Sequence, residues 1–190
     1  MKIGVIGGIG SGKSTALKIF NKHKYTTYEA DEINRTILKR EDIQNKLKQE
    51  FSEAFINGKL NKFKLREYIF SSQHAYNKAT TIITQETKKE ILNILKSNTE
   101  DLVIEMPLID KALLAKFDYI VCIDASEDCR LQFLEARGID KDTAKKIMSF
   151  QPSNEEYKTN AKLVISNSAD ANALENNIED FITNKIGRRI

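Results

Sequence analysis

Lys13, Ser14 and Thr15 stand directly behind four closely spaced glycines, Gly7, Gly8, Gly10 and Gly12, with Ile9 and Ser11 between them. Residue types at this spacing can bind a chain of phosphates. Glycine lets backbone N–H groups approach an anion with no Cβ in the way, and lysine supplies charge for the outer phosphates. The serine hydroxyl can ligate Mg²⁺. The run satisfies G-x-x-x-x-G-K-[ST], with Gly7 and Gly12 as the fixed glycines. Apolar residues 3–6 precede it and a helix-forming segment beginning at Ala16 follows, so the order is strand, tight turn, helix N-terminus. The helix dipole and its unpaired first-turn N–H groups add to the attraction. Gly8, Gly10, Ser11, Gly12, Lys13, Ser14 and Thr15 are therefore assigned to a nucleotide, with Ser14 as the metal ligand. The competing reading is a flexible glycine turn that happens to precede Lys-Ser, and both spacing and context disfavour it. The same glycines do not spell G-x-G-x-x-G, which argues against a nicotinamide dinucleotide.

The elements that must hold this loop can be read from hydrophobic pattern. Short apolar runs at residues 3–6, 25–28, 102–104, 119–123 and 163–165 alternate with segments of helical period. Such strands are buried on both faces, so the pattern predicts a three-layer, doubly wound parallel sheet with ligand at the strand C-terminal ends. Asp31 follows the second strand and Arg35 lies one helical turn beyond it. The spacing leaves open whether Asp31 is a catalytic carboxylate or the cap of the next helix. Glu105 ends the third strand, where it can accept a hydrogen bond from a magnesium-bound water or cap the turn before Pro107.

Between the second and third strands lie about seventy residues with no convincing strand, more than a crossover requires. We expect a helical insertion over about 33–100, with helices at 41–51, at 62–70 after the turn Asn57-Gly58-Lys59, and at 76–95. Ile83, Thr87, Ile91, Ile94 and Leu95 share one face of the last helix and read as core. A lid is expected over about 126–160. There Ser126 caps a helix through Arg137, Gly138 ends it, and Asp140 starts another to about 150. A final helix from about 170 turns Leu174, Ile178, Phe181 and Ile182 toward the sheet.

At 190 residues with 41% hydrophobic content, one domain with these excursions is expected over 1–190. Thirty basic residues against twenty-seven acidic give +3, with the signs interspersed, which disfavours a nucleic-acid partner. The tail of Lys185, Arg188 and Arg189 reads as a solubilising end. Cys122 and Cys129 have neither C-x-x-C spacing nor a nearby histidine, so both read as reduced, packed thiols. No stretch approaches the length of a membrane span and the start does not resemble a secretion signal, so a soluble, cytoplasmic protein is expected. A monomer or weak homo-oligomer is expected.

With Gly7–Ser14, then Glu29-Ala30-Asp31 and Arg35, Leu65-Arg66-Glu67-Tyr68-Ile69-Phe70, Pro107-Leu108, and Gln151-Pro152 with Lys158 before 161–167, the chain resembles the dephospho-CoA kinases over nearly its whole length. It departs from their usual pattern at Glu29, where Asp is common. It departs also at Thr81-Ile82, where His-Pro is frequent, and at Lys162, where Asp usually follows alanine. The resemblance implies transfer of the γ-phosphoryl group of ATP to the ribose 3′-hydroxyl of dephospho-CoA, giving CoA and ADP, with Mg²⁺. It also implies that Lys13 holds the outer phosphates, that Asp31 orients the hydroxyl and takes its proton, and that Arg35 and Arg66 bind acceptor phosphates. A surface ion pair with Asp31 or Glu67 is the competing explanation for those two arginines. Arg130 and Arg137 are candidates to fold over the nucleotide, Arg137 the better placed beside its glycine; a solvated helix face competes for each. Asn167 and Ser168 lie where an adenine ring often rests in this architecture.

Two other classes are weighed. Another small-molecule or nucleoside monophosphate kinase would share the loop and lid, but the long insertion with Leu65-Arg66 suits a long acceptor better. A GTP-dependent switch needs N-K-x-D and usually D-x-x-G, and neither occurs.

Overall fold

The computed structural model describes residues 1–106, 109–167 and 171–187. In chain order its elements are β1 (Lys2–Ile6), α1 (Lys13–Lys22), β2 (Thr26–Tyr28), α2 (Ala30–Ile37), α3 (Glu41–Glu50), β3 (Phe55–Ile56), β4 (Lys59–Leu60) and α4 (Lys62–Ile69). They continue with α5 (Gln73–Ser97), β5 (Leu102–Glu105), α6 (Lys111–Leu114), β6 (Tyr119–Asp124), α7 (Glu127–Glu135), α8 (Lys141–Ser149), α9 (Asn154–Thr159), β7 (Leu163–Ser166) and α10 (Ala171–Asp180). The chain divides into two compact units, Met1–Ala30 with Leu95–Ile190, and Asp31–Ile94.

The first unit is built on a five-stranded sheet in the order β2-β5-β1-β6-β7, every pairing parallel. Its central strand is an almost uninterrupted apolar run whose Ile3, Val5 and Ile6 are fully buried, as a strand covered on both faces must be. Helices flank the sheet, in the α/β architecture expected from the sequence. On one side α1 turns Ala16, Leu17, Ile19 and Phe20 inward, and α10 contributes Leu174 and Ile178 to the same cluster. The Phe20 ring meets Tyr25 edge-on at 5.6 Å and Phe181 at 6.3 Å. Register places Val5 level with Glu105 and Val121, and Ile6 level with Cys122. The chain thus leaves β1 at Gly7 between the C-terminal ends of β5 and β6, where backbone groups no longer serve the sheet.

Ser126 and Asp140 cap α7 and α8 through their side chains, and Gly138 takes φ +79° between them. A third helix, α9, was not expected. Its capping box has Ser153 accepting from the Glu156 N–H while the Glu156 carboxylate accepts from the Ser153 N–H. Lys162, which departs from the dephospho-CoA kinase pattern, donates to the Asp118 carbonyl at 2.8 Å and lies 5.2 Å from the centre of the Tyr119 ring.

The second unit is helical except for the hairpin β3–β4, which the sequence reading also missed. Asn57 and Gly58 take φ +50° and +75° and close it, as Asn-Gly does in tight hairpins. Strands of two residues are too short to show alternation. On α5, Thr87 and Ile91 are buried, so the stripe on that helix is core. Beside them Glu86, 5% exposed, is held by Lys89 at 2.7 Å and Arg40 at 3.0 Å. The Lys89 hydrogen bond leads in holding the Glu86 carboxyl below its ordinary range. The Thr87 hydroxyl stands 2.7 Å from Asn34 Oδ1, joining α2 to α5.

Candidate active site

The first turn of α1 contains no acidic residue, and Gly12 starts the helix in the left-handed region at φ +101° with no side-chain cap. The first N–H groups and the positive helix end are therefore left for an anion. Only glycine suits this position, because φ is positive and a Cβ there would also strike the Asn167 amide. Gly8 differs from Gly7, Gly10 and Gly12, which all take positive φ. Its φ lies outside that region, and its missing Cβ instead makes room for the Arg130 guanidinium.

Lys13 is nearly buried at 12% side-chain exposure. Its Nζ donates to the Gly8 carbonyl at 3.1 Å and stands 3.5 Å from a Glu105 carboxylate oxygen. The ammonium is thus held over the loop by the strand next to β1. Ser14 is half-buried and Thr15 exposed. The Ser11 hydroxyl is buried and, among the described residues, has no hydrogen-bond partner. A buried hydroxyl without a partner costs free energy unless a ligand supplies one.

Asn167 is 8% exposed, and its side-chain N–H donates to the Ser11 carbonyl at 2.8 Å. Its backbone N–H donates to the Asp124 carbonyl at 2.7 Å, so the residue ties the loop to β6. Sequence placed Asn167 at the adenine; here its amide is committed to the loop backbone. Ser168, Pro107 and Leu108 lie outside the described residues.

The two candidate arginines of α7 and its exit separate. Arg137 is exposed beside Gly138, whereas Arg130 is buried at 6% exposure, with Nε donating to the Ile9 carbonyl and Nη1 to Asn154. Burial pulls the Arg130 guanidinium below its ordinary value, though arginine stays charged. Two hydrogen-bond partners near the loop had no role in the sequence reading. Gln151 entered the resemblance without a role, and Asn154 is signalled only by the Ser153-x-x-Glu156 box that starts its helix. Lys158, another residue of the resemblance, pairs with Asp124 at 3.0 Å.

The acceptor-side candidates fall in the helical unit. Asp31 is exposed in the first turn of α2, inside the helix rather than at its cap position. Arg35 occupies the last turn of α2 and Arg66 the last turn of α4, both exposed. Among the described residues neither arginine pairs with Asp31 or Glu67. The burial of Cys122 raises its thiol to about 11, and both cysteines are free. Among the described residues no group of three or more His, Cys, Asp or Glu side chains could hold a metal, and no helix is long and apolar enough to cross a membrane.

A glycine-rich phosphate loop joining the central strand of a parallel sheet to a helix N-terminus defines a P-loop nucleotide-binding protein. Within that class the family model described as dephospho-CoA kinase matches residues 1–173, and the chain belongs to that family. A dephospho-CoA kinase of Fusobacterium nucleatum is 29% identical over 186 residues, covering 95% of this chain and 96% of that protein. One from Streptococcus pyogenes serotype M1 is 32% identical over 196 residues, covering 96% of each. A crystal structure of a Thermus thermophilus protein shares the fold with a TM-score of 0.78 at 24% identity, covering 98% of this chain and 96% of that one.

Proposed function

We propose a division of labour among the residues of this chain for the reaction of its family, ATP-dependent phosphorylation of dephospho-CoA. The γ-phosphoryl group passes to the ribose 3′-hydroxyl, giving CoA and ADP. The sheet unit holds ATP: loop amides and Lys13 take the β- and γ-phosphates. The observation that carries this reading is the loop itself, held by Asn167 on the Ser11 carbonyl and by Lys13 on the Gly8 carbonyl, with a buried Ser11 hydroxyl that has no partner among the described residues. Ser14 fits magnesium, because among the described residues its hydroxyl has no hydrogen-bond partner and it stands at the second position of α1. Bound there, the ion would neutralise charge across the outer phosphates.

The helical unit receives the acceptor. Arg35 and Arg66 bind its phosphates, and Asp31 accepts the proton of the 3′-hydroxyl as that oxygen attacks phosphorus. The transition state is loose and no covalent intermediate is needed, so alignment and charge stabilisation supply most of the rate. The segment α7–α8 acts as a lid that excludes water, with Arg137 reaching the transferring group.

An assay of ADP release across a panel of acceptors tests this. With Mg²⁺ and ATP, dephospho-CoA should be phosphorylated far faster than ATP is hydrolysed alone. Equal turnover of AMP, shikimate or gluconate would move the chain to a different acceptor class.

A further inference from the structure

Two side chains from beyond β6 meet on a single residue of the loop, and a third holds one of them. Arg130 Nε donates to the Ile9 carbonyl at 2.8 Å, and Gln151 Oε1 accepts from the Ile9 N–H at 2.8 Å. Asn154 Oδ1 accepts from Arg130 Nη1 at 2.8 Å, while Asn154 Nδ2 donates to the Ala125 carbonyl at 3.0 Å and faces Asp124 Oδ1 at 3.3 Å. Both backbone polar groups of Ile9 are thus taken, and Arg130 is anchored through Asn154 to the end of β6.

Arg130 is an unusual residue to bury for packing alone. Among the described residues no carboxylate forms an ion pair with it, so a carbonyl and an amide compensate its lost hydration. The cost is offset only where the guanidinium fork meets both acceptors, which a flexible lysine cannot do. The contact is close on two sides. The guanidinium fills the space a Cβ on Gly8 would need, and the Arg130 carbonyl lies 2.8 Å from the place of a Cβ on Gly10.

The chemical consequence follows from peptide geometry. The C=O of Ile9 and the N–H of Gly10 belong to one trans peptide and point in opposite directions. Holding the carbonyl on Arg130 turns the Gly10 N–H away from that arginine and prevents a flip that would present a carbonyl oxygen to a phosphate.

We propose that Arg130, aligned by Asn154, is a positioning residue that fixes the Ile9–Gly10 peptide in its anion-binding orientation, while Gln151 holds the preceding Gly8–Ile9 peptide, and that Arg130 so sets the affinity for ATP without touching its phosphates. The proposal rests on the loop being the ATP site.

Arg130→Lys and Asn154→Ala test it in the full-length protein at 25 °C. ATP affinity is measured by equilibrium binding without acceptor, and KM and kcat by steady-state kinetics. Arg130→Lys and Asn154→Ala should each weaken ATP binding and raise its KM about tenfold, the effect of losing one charge-assisted hydrogen bond. The kcat value and the KM for dephospho-CoA should stay within about twofold, since neither substitution touches reacting atoms. The double variant should be no worse than either single one, because the two residues act as one unit. Lysine restoring wild-type ATP affinity, a loss confined to kcat, or a lowered Tm with unchanged kinetics would each overturn the proposal. Should Arg130→Lys not fold, the half-buried Asn154 carries the same test. Absence of ATP-dependent turnover in the wild type would instead remove the reading of the loop.

Discussion

Around the phosphate loop, Lys13, Glu105, Arg130 and Asn167 are largely or fully buried, and each already has a partner within the sheet unit. In the helical unit, Asp31, Arg35 and Arg66 are exposed and, among the described residues, unpartnered. On the proposed division of labour, the contrast follows from what each would bind. A phosphate chain is held by backbone dipoles, which stabilise charge only if they are aimed before the ligand arrives, so the loop is braced from three neighbouring segments. An acceptor recognised by long charged side chains can be met by groups that remain solvated until it binds, at little cost to folding. Substitutions near the loop should therefore change stability and activity together, and those on the helical unit activity alone.

The largest effect expected is that of Asp31→Asn. Loss of the proton acceptor should lower kcat by about 10²–10⁴, with ATP binding and the melting temperature unchanged. A kcat near that of the wild type would remove Asp31 from the chemistry. Lys13→Ala should lower kcat/KM by about 10²–10³ through loss of charge at the outer phosphates, and unlike Asp31→Asn it should also weaken ATP binding measured by titration.

Asn167→Ala sharpens the contrast, because it strands the Ser11 carbonyl inside the unit. The expected cost is about 1–3 kcal/mol, which at roughly 2–4 °C per kcal/mol for a chain of this size is visible in a thermal melt. ATP KM should rise with it, and an unchanged melt would show that the brace is dispensable. Arg66→Ala should raise the KM for dephospho-CoA several-fold while leaving the KM for ATP and the melt alone; a shift in ATP KM instead would break the assignment of the two units. The smallest effect belongs to Glu175→Ala, which deletes the surface pair with Lys22 and should change stability by no more than about 0.5 kcal/mol with kinetics untouched.

How much could be read in advance depended on separation along the chain. The phosphate loop and the five strands were legible because their signals sit in consecutive residues, and the caps at Ser126 and Asp140 were legible for the same reason. The α9 capping box, Ser153-x-x-Glu156, is an equally local signal. The brace on Ile9 was not legible, since Arg130 and Gln151 lie 121 and 142 residues away and nothing near them announces a partner. That distance also hid the reason for Gly8, whose absent side chain accommodates an arginine from another helix.

By itself the sequence determined the local devices: a glycine loop aimed at phosphate, an apolar strand to hold it, a helix whose first turn carries no acid, and a family pattern that names the acceptor. Tertiary structure alone decided which of two arginines on and after α7 is buried against the loop, and that Asn167 serves the loop backbone. Local devices follow from the conformational preferences of neighbouring residues. The partners of a buried charge are set by which distant donors and acceptors the folded chain brings within hydrogen-bond reach, and the free energy of desolvation then requires them to meet.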